Sequence, residues 1–329
     1  MRILITGVHG FVGANLVEYL MRPGSLYAPE HTVYGLDIVA PERAGVKRTF
    51  SWDDLGAGRV PEVDAVIHLA GVAHDTVDPS DTATYFAVNA GLTRQVFDYF
   101  CTHPGIRKFI FFSSVKAAAD RVEGVLTEDV VPAPAGPYGE SKLQAEEHIR
   151  ASAVWRSAGA ADPGADVPGK QVYILRPCMI HGPGNKGNLN LLYDVVRRGI
   201  PWPLGAFGNR RTFTSVENAC FAVRGLLERD VPTGIYQLGD DESLSTNELI
   251  GVICGVLGKK AHIWRLPKGL MVLLARLGGL LHLPLDPERL RKLTENYVVS
   301  NARIKAALGV ERMPVDARTG LWRTISSFR

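Results

Sequence analysis

The chain has little cysteine: four in 329 residues, namely Cys101, Cys178, Cys220 and Cys254. Their spacing suits neither a metal site nor a disulfide framework. They are read as reduced thiols of a cytoplasmic protein, packed as small apolar groups. Net charge is also slight. Lys and Arg number 37 against 34 Asp and Glu, a formal +3. That balance gives no case for nucleic acid as a partner and leaves an anionic small substrate open. No leader is expected, because Met1-Arg2-Ile3-Leu4-Ile5-Thr6-Gly7 reads directly as a first strand. Nor does an apolar run reach the roughly 20 residues a membrane span takes. The nearest candidate, Gly269 to Leu283, is interrupted by Arg276. It is read as a helix packed in a smaller lobe. The alternative is a helix lying on a lipid surface, aided by Lys268 and Arg276.

What the chain does have is apolar residues, 46% of the total, enough for a large core and two lobes. Strand and helix signals alternate through the first half. Arg2–Thr6, His31–Asp37, Asp64–Ala70, Lys108–Ser113 and Gln171–Arg176 read as strands. Phe11–Met21, Thr82–Phe100 and Tyr138–Trp155 read as helices. Such alternation predicts an α/β fold, a doubly wound parallel sheet of the Rossmann type. The Ala-, Gly-, Asp- and Pro-rich stretch Ser157–Lys170 reads as a surface loop. After Pro177 the rhythm breaks into short strands such as Gly234–Leu238 and helices such as Thr246–Leu257. The expected division is a cofactor domain at 1–176 and a smaller α/β substrate-binding lobe mainly at 177–329. A helix at Val216–Glu228 is expected to return to the sheet.

The first strand–helix junction carries Gly7-Val8-His9-Gly10-Phe11-Val12-Gly13. Glycines there permit a tight turn, close approach to a pyrophosphate, and close helix–strand packing. The helix beyond offers unpaired N–H groups and a positive dipole end. Asp37 closes the second strand, where a carboxylate binds ribose hydroxyls and repels a 2′-phosphate. NAD(H) is therefore favoured, with NADP(H) kept open by Arg43, Lys47 and Arg48 nearby. Asp53 or Asp54 is a candidate for the adenine amino group, a solvated loop acid being the alternative. His68-Leu69-Ala70-Gly71 closes the fourth strand, where Leu69, Ala70 and Gly71 would let the backbone lie against the cofactor.

Tyr138 and Lys142 stand four apart, one turn above one another on a helix. An ammonium beside a phenol favours the phenolate and lowers its pKa from about 10. Such a tyrosine can pass a proton to or from a sugar oxygen near neutral pH. Ser113-Ser114 ends the apolar strand before them.

These motifs, with Arg176-Pro177, His181-Gly182-Pro183-Gly184 and Arg211-Thr212-Phe213-Thr214-Ser215-Val216-Glu217-Asn218, resemble the extended short-chain dehydrogenase/reductase family, in its branch acting on nucleotide sugars. The resemblance runs over nearly the whole chain. It implies Tyr138 as acid/base, Lys142 as its partner and as a contact to the nicotinamide ribose, and Ser114, rather than Ser113, as the orienting hydroxyl. It also implies a supporting role for Asn89 behind the tyrosine and places Pro177 at the cofactor. Asn188 and Arg211 fall where diphosphate contacts are expected, which suits arginine's planar fork. Arg289 or Arg291 is a weaker candidate for the same contact, a surface arginine being the alternative. His74 is a candidate for the sugar pocket or an ordinary loop histidine. His181, which replaces the family's tyrosine before Gly-Pro-Gly, is read as core or cofactor-lining. A homodimer through Thr82–Phe100 and Tyr138–Trp155 is implied as well.

Three reactions compete. Sugar 4,6-dehydratases of this kind carry Asp-Glu directly after the catalytic hydroxyl residue; here Val115 and Lys116 stand there, which argues against water loss. The segments Ser113–Lys116, Arg198–Gly205 and Asn209–Arg211 resemble reductases of UDP-4-keto-6-deoxy-N-acetylhexosamines, and this reading leads. A UDP-hexose or N-acetylhexosamine 4-epimerase follows it. An NAD(P)-binding sensor without turnover is the remote third, disfavoured by the intact Tyr138 and Lys142.

Overall fold

The computed structural model describes residues 1–22, 31–72, 82–159, 169–185, 187–281 and 285–328. Its centre is a seven-stranded parallel sheet. The strands are β1 (Arg2–Thr6), β2 (Thr32–Leu36), β3 (Val46–Phe50), β4 (Ala65–His68), β5 (Lys108–Phe112), β7 (Gln171–Pro177) and β10 (Gly234–Leu238), in the order β10-β7-β5-β4-β1-β2-β3. The order reverses beside β1, so the ends of β1 and β4 open a crevice at the switch point. Strands such as Ile3-Leu4-Ile5 and Phe109-Ile110-Phe111 are apolar throughout because both faces are covered.

Alternate side chains serve opposite layers. Ile3 and Ile5 pack with Leu16, Val17 and Leu20 of α1 (Phe11–Met21) and Val223 and Leu226 of α9 (Val216–Glu228). Leu4 and Val66 face the other side. Val96, Phe97 and Phe100 of α4 (Thr93–Thr102) and Ala145 and Ile149 of α6 (Pro137–Ala151) join them there. The helix at 216–228 covers the same face of the sheet as α1. Two strands differ from the sequence reading. β10, assigned to the smaller lobe, is an edge strand of the main sheet, and β3 forms the opposite edge with a charged, half-exposed pattern.

The helix expected at Thr82–Phe100 is built in three pieces. α3 (Thr82–Tyr85) passes into a π-helical segment, Phe86–Leu92, and then into α4. The stretch expected as a loop at 157–170 lies largely outside the described residues. Before β5 come α2 (Trp52–Gly56) and after it α5 (Val115–Ala118), β6 (Val125–Leu126) and, beyond α6, α7 (Ala153–Gly159).

The smaller apolar centre joins α8 (Asn188–Arg197), α10 (Thr246–Leu257), α11 (Lys268–Leu280), α12 (Pro287–Thr294) and α14 (Ala317–Ser326). A capping box between Ser245 and Glu248 starts α10, and Gly258 in the left-handed region ends it. Two short parallel pairs stitch the halves together: β8 (Met179–His181) with β9 (Phe213–Ser215), and β6 with β11 (Val298–Val299). The helix α13 (Ala302–Ala307) packs back against β10. No helix among the described residues is long and apolar enough to cross a membrane.

Candidate active site

The glycine turn is shaped by contact. Gly7 takes φ +68°, and a Cβ on it would lie 2.9 Å from Ala70 N. One on Gly13 would lie 2.3 Å from Gly7 O. Neither position admits a side chain, so the turn, the start of α1 and the Leu69-Ala70 backbone close against one another. Gly10 caps α1 without a side-chain hydrogen bond, which leaves the helix's first N–H groups to an anion. Phe11 and Val12 open this helix, and Phe11 packs near Gly182 and Gly184.

Asp37 directly follows β2. It accepts hydrogen bonds from His9 N (3.0 Å) and Ile38 N (2.8 Å), which holds its carboxylate at the ribose end of the turn. Arg43 reaches His9 Nδ1 at 3.4 Å, so a cation stands close by. Lys47 and Arg48 instead lie on β3, over the rings of Tyr34 and Phe50. Asp54 is committed to capping α2: it accepts from Ser51 and pairs with Arg59 at 2.6 Å, and its pKa falls to about 2, chiefly through the Ser51 backbone bond. Asp53, beside it, is exposed in the same first turn.

Beneath the crevice runs a buried polar chain. Thr93 Oγ1 donates to Asn89 O at 2.6 Å and stands 2.9 Å from His68 Nε2. The hydroxyl proton being used, His68 Nε2 must donate, so Nδ1 accepts from Thr6 Oγ1 at 2.7 Å. Thr6 Oγ1 in turn accepts from Ala70 N at 3.1 Å. Burial, aided by the Lys142 charge, lowers the His68 pKa to about 3, so the ring is a neutral strut.

Asn89 lies in the π-helical segment. Its Oδ1 accepts from Val72 N at 2.9 Å, and its Nδ2 donates to Ser141 Oγ at 3.1 Å. Ser141 Oγ donates to Tyr138 O at 2.9 Å, so Asn89 ties the chain after Gly71 to the helix carrying the tyrosine. A Cβ on Gly71 would lie 2.8 Å from Asn89 Oδ1 and 3.1 Å from Lys142 Nζ.

α6 begins with Gly136 at φ +90° and Pro137 in its first turn. Gly139 lets it press on α5: a Cβ there would lie 2.5 Å from Lys116 O. Tyr138, half-buried, meets the Tyr85 ring edge to face at 6.1 Å. Lys142, one turn on, is buried and donates to Phe112 O at 3.0 Å. Burial lowers its pKa to about 8, against an opposing pull from Glu146. Glu146, a further turn along, holds Arg176 with two bonds of 2.9 and 2.5 Å and accepts from Ser113 Oγ at 2.5 Å. Ser113 is thereby committed to the framework. Ser114 caps α5 by accepting from Lys116 N and stands at the end of β5.

The remaining sequence candidates divide. Pro177 ends β7 in register with Leu238 of β10. Arg211 bridges to Tyr297, whose hydroxyl reaches Ala119 at the end of α5; its Nη1 donates to Lys292 O at 3.0 Å, and burial lowers its pKa. Arg291 pairs with Glu295 at 2.8 Å and reaches Asp120 at 3.8 Å, which puts it beside Lys116. Arg289 is exposed and pairs with Asp286 across one turn. His181 is core, 2.9 Å from Thr324 Oγ1 and 3.5 Å from Asp240. Asn188 is the first residue of α8. His74 lies outside the described residues.

Sequence reasoning missed Thr6 and Thr93 as partners of His68, Glu146 as partner of Arg176, and Tyr297. Tyr297 donates to Ala119 O at 2.6 Å and so fastens the second half of the chain to α5, directly after Ser114. A lone arginine at the end of an otherwise apolar strand was a signal, since a buried guanidinium requires a buried acid.

The seven-stranded parallel sheet with a glycine-cradled helix start at its switch point is a Rossmann-type dinucleotide-binding fold. Residues 3–239 match the NAD dependent epimerase/dehydratase family. The chain belongs to that family and is an enzyme that uses NAD. It is 29% identical over 282 residues to UDP-glucose 4-epimerase of Vibrio cholerae, covering 80% of this chain and 78% of that one. It is 29% identical over 315 residues to N-acetyl-alpha-D-glucosaminyl-diphospho-ditrans,octacis-undecaprenol 4-epimerase of Escherichia coli O157:H7, covering 92% and 84%. Among solved structures, UDP-glucuronic acid 4-epimerase from Bacillus cereus, in complex with UDP-glucuronic acid and NAD, has the same fold, with TM-score 0.71, 21% identity and coverage of 99% and 98%.

Proposed function

We propose that this chain is an NAD-dependent 4-epimerase of a diphosphate-linked sugar, with a UDP-hexose or UDP-N-acetylhexosamine the first substrate to try. The observation that carries it is the pairing of one complete proton-handling site with relatives that span 80% and 92% of the chain and are both 4-epimerases. This reverses the order of the two leading sequence readings. The reductase reading keeps the likeness of Ser113–Lys116, Arg198–Gly205 and Asn209–Arg211 to ketoreductases, and a relative 26% identical over 267 residues is a GDP-6-deoxy-D-mannose reductase.

NAD, when bound, would supply a hydride acceptor and donor for the sugar's C4. Gly7, Gly10 and Gly13 with the start of α1 would hold its pyrophosphate, Asp37 its adenosine ribose, and Lys142 the ribose nearer the chemistry. The protein's own part is the proton. Tyr138, as phenolate beside the Lys142 ammonium, takes the proton from O4 as the C4–H bond breaks. Ser114 donates a hydrogen bond to the same oxygen and fixes its position. The return step runs backwards: O4 regains the Tyr138 proton. Val115 and Lys116 offer no acid for β-elimination, and Lys116 is occupied by Asp120 at 2.9 Å. Arg211 supplies positive charge for a diphosphate. That chemistry is common to the nucleotide-linked sugar of one relative and the undecaprenyl-linked sugar of the other.

The test is product analysis by NMR after the purified protein is given UDP-glucose or UDP-N-acetylglucosamine, with NAD but no reductant. Appearance of the C4 epimer of either supports the reading. No epimer from either, together with stoichiometric NADH consumption on a UDP-4-keto-6-deoxy-N-acetylhexosamine, would replace it by the reductase.

A further inference from the structure

The helix α11 does not do what its composition leads one to expect. Thirteen residues long and rich in leucine, it buries only Met271, Ala275 and Gly278 among its own residues. Leu270, Leu273, Leu274, Leu277, Leu280 and the capping Leu281 are all exposed, by 43% to 76%. At 3.6 residues per turn these six fall within an arc of about 120°. The buried residues centre about 125° away around the helix. The exposed leucines therefore form one continuous stripe open to solvent.

Along the sequence the charges of this segment have one sign. No Asp or Glu occurs between Glu248 and Asp286, while Lys259, Lys260, Arg265, Lys268 and Arg276 do, and all five are exposed. The rest of the chain is nearly balanced, so this segment departs from it. On the helix itself Arg276 borders the leucines, while Lys268 lies on another side, its Nζ 5.6 Å from the centre of the Phe207 ring. Trp264, just before the helix, is 55% exposed, a side chain suited to the boundary between headgroups and hydrocarbon. An apolar stripe edged by a cation, on a helix too short to span, has the chemistry of one that lies in a bilayer surface.

We infer that α11 is a membrane-surface anchor, which seats the protein on an anionic lipid bilayer with the leucine stripe in the headgroup–acyl boundary. A second copy of the chain fits less well. Pairing two stripes would bring Arg276 of both copies together, with no acid in the segment to offset them. The anchor also stands next to the site. α12 packs along α11, and Lys292 O at the end of α12 receives Arg211. A substrate carried at the bilayer surface would therefore meet the diphosphate side of the site one helix away. The inference rests on α11 alone and holds whichever C4 reaction the enzyme performs.

The experiment is flotation of the full-length protein with vesicles of phosphatidylcholine, alone or mixed with phosphatidylglycerol. The protein should float with the mixed vesicles and lose that binding as salt is raised. Leu273→Glu with Leu277→Glu should abolish flotation. Lys268→Gln with Arg276→Gln should weaken it about tenfold. Neither pair should change turnover of a soluble nucleotide sugar, which separates failure of the anchor from failure of the active-site reading. Protein that stays unbound with both vesicles, or that binds the uncharged vesicles equally well, would overturn the proposal. So would a leucine variant that still floats but has a smaller mass by light scattering, since the stripe would then be a surface between copies.

Discussion

The two sides of the active site are built on different principles. On the cofactor side, polar side chains are buried and each is held by another: Thr6, His68 and Thr93 in one chain, Ser113, Glu146 and Arg176 in a second. On the side of the candidate sugar-binding arginines, Arg211 is held by a backbone carbonyl of α12 and lies 4.0 Å from Glu295, and Arg289, exposed, pairs with Asp286 across one turn. A fixed geometry suits a cofactor that must present one atom to the tyrosine. Looser arginines suit a diphosphate, whose charge is recognised over a wider range of positions. The difference implies that damage on the cofactor side should be severe in turnover or folding, and damage on the sugar side graded in affinity.

The sharpest test is Tyr138→Phe. Losing the proton-transfer group should cut kcat by about 10²- to 10⁴-fold. NAD affinity, measured by fluorescence titration, should hardly move, because the aromatic ring and its packing on Tyr85 remain. A variant within about tenfold of the parent would remove Tyr138 from the chemistry.

Glu146→Gln probes the framework rather than the reaction. It leaves the Arg176 guanidinium, 1% exposed, without its counter-charge. Breaking a buried pair of this kind costs about 3 kcal/mol or more. The midpoint of urea denaturation should fall accordingly, and an unchanged midpoint would show that the pair is dispensable. A further consequence concerns acid. His68 is held below its ordinary pKa, so the unfolded chain binds the extra proton between about pH 6.5 and 3. Stability should therefore fall as pH drops through that window, and His68→Asn should flatten the decline.

How much of this was legible depends on how local the cause is. Gly7, Gly10 and Gly13 could be read because a close turn constrains residue type at fixed offsets, and the structure shows those contacts. Phe11–Met21, Val216–Glu228 and Thr246–Leu257 were readable from 3.6-residue periodicity and have those bounds in the fold. The π-helical segment was not, because one extra residue in a turn leaves the apolar pattern nearly intact while it re-aims Asn89. Glu146 was missed because its partner lies 30 residues away on β7. The exposure of α11 escaped for a related reason: its composition says apolar, and only packing shows which face is left uncovered.

Lys142 sharpens the comparison through pH. Its ammonium is buried and loses its proton near pH 8 rather than near the ordinary lysine value. Below that pH the charge that favours the Tyr138 phenolate is present; above it, the charge is lost. The kcat profile should accordingly fall on its alkaline side from about pH 8, approaching tenfold per pH unit. Lys142→Ala should remove that limb, lower turnover at every pH and weaken NAD binding. An alkaline limb that survived in the variant would assign it to another group. The stability sign is the reverse: the unfolded chain binds the proton more tightly between about pH 8 and 10.5, so folding gains as pH rises through that range.

The smallest effects belong to the arginines, and they decide whether the sugar side is a site at all. Arg211→Ala should raise KM for the sugar substrate about tenfold while kcat stays near the parent value, since a lost charge-assisted contact is worth about 1.5 to 3 kcal/mol before compensation. Arg289→Ala should change KM by less than about twofold, because an exposed arginine paired across one turn contributes little. Equal effects from both would mean that the diphosphate is drawn by the general charge of α12. A larger effect from Arg289 would mean that α12 turns inward when substrate binds, and that the exposed arginine is the contact. Arg211 alone responding would fix the diphosphate beside α5, on the same side as Ser114, where Tyr297 already fastens the two halves of the chain.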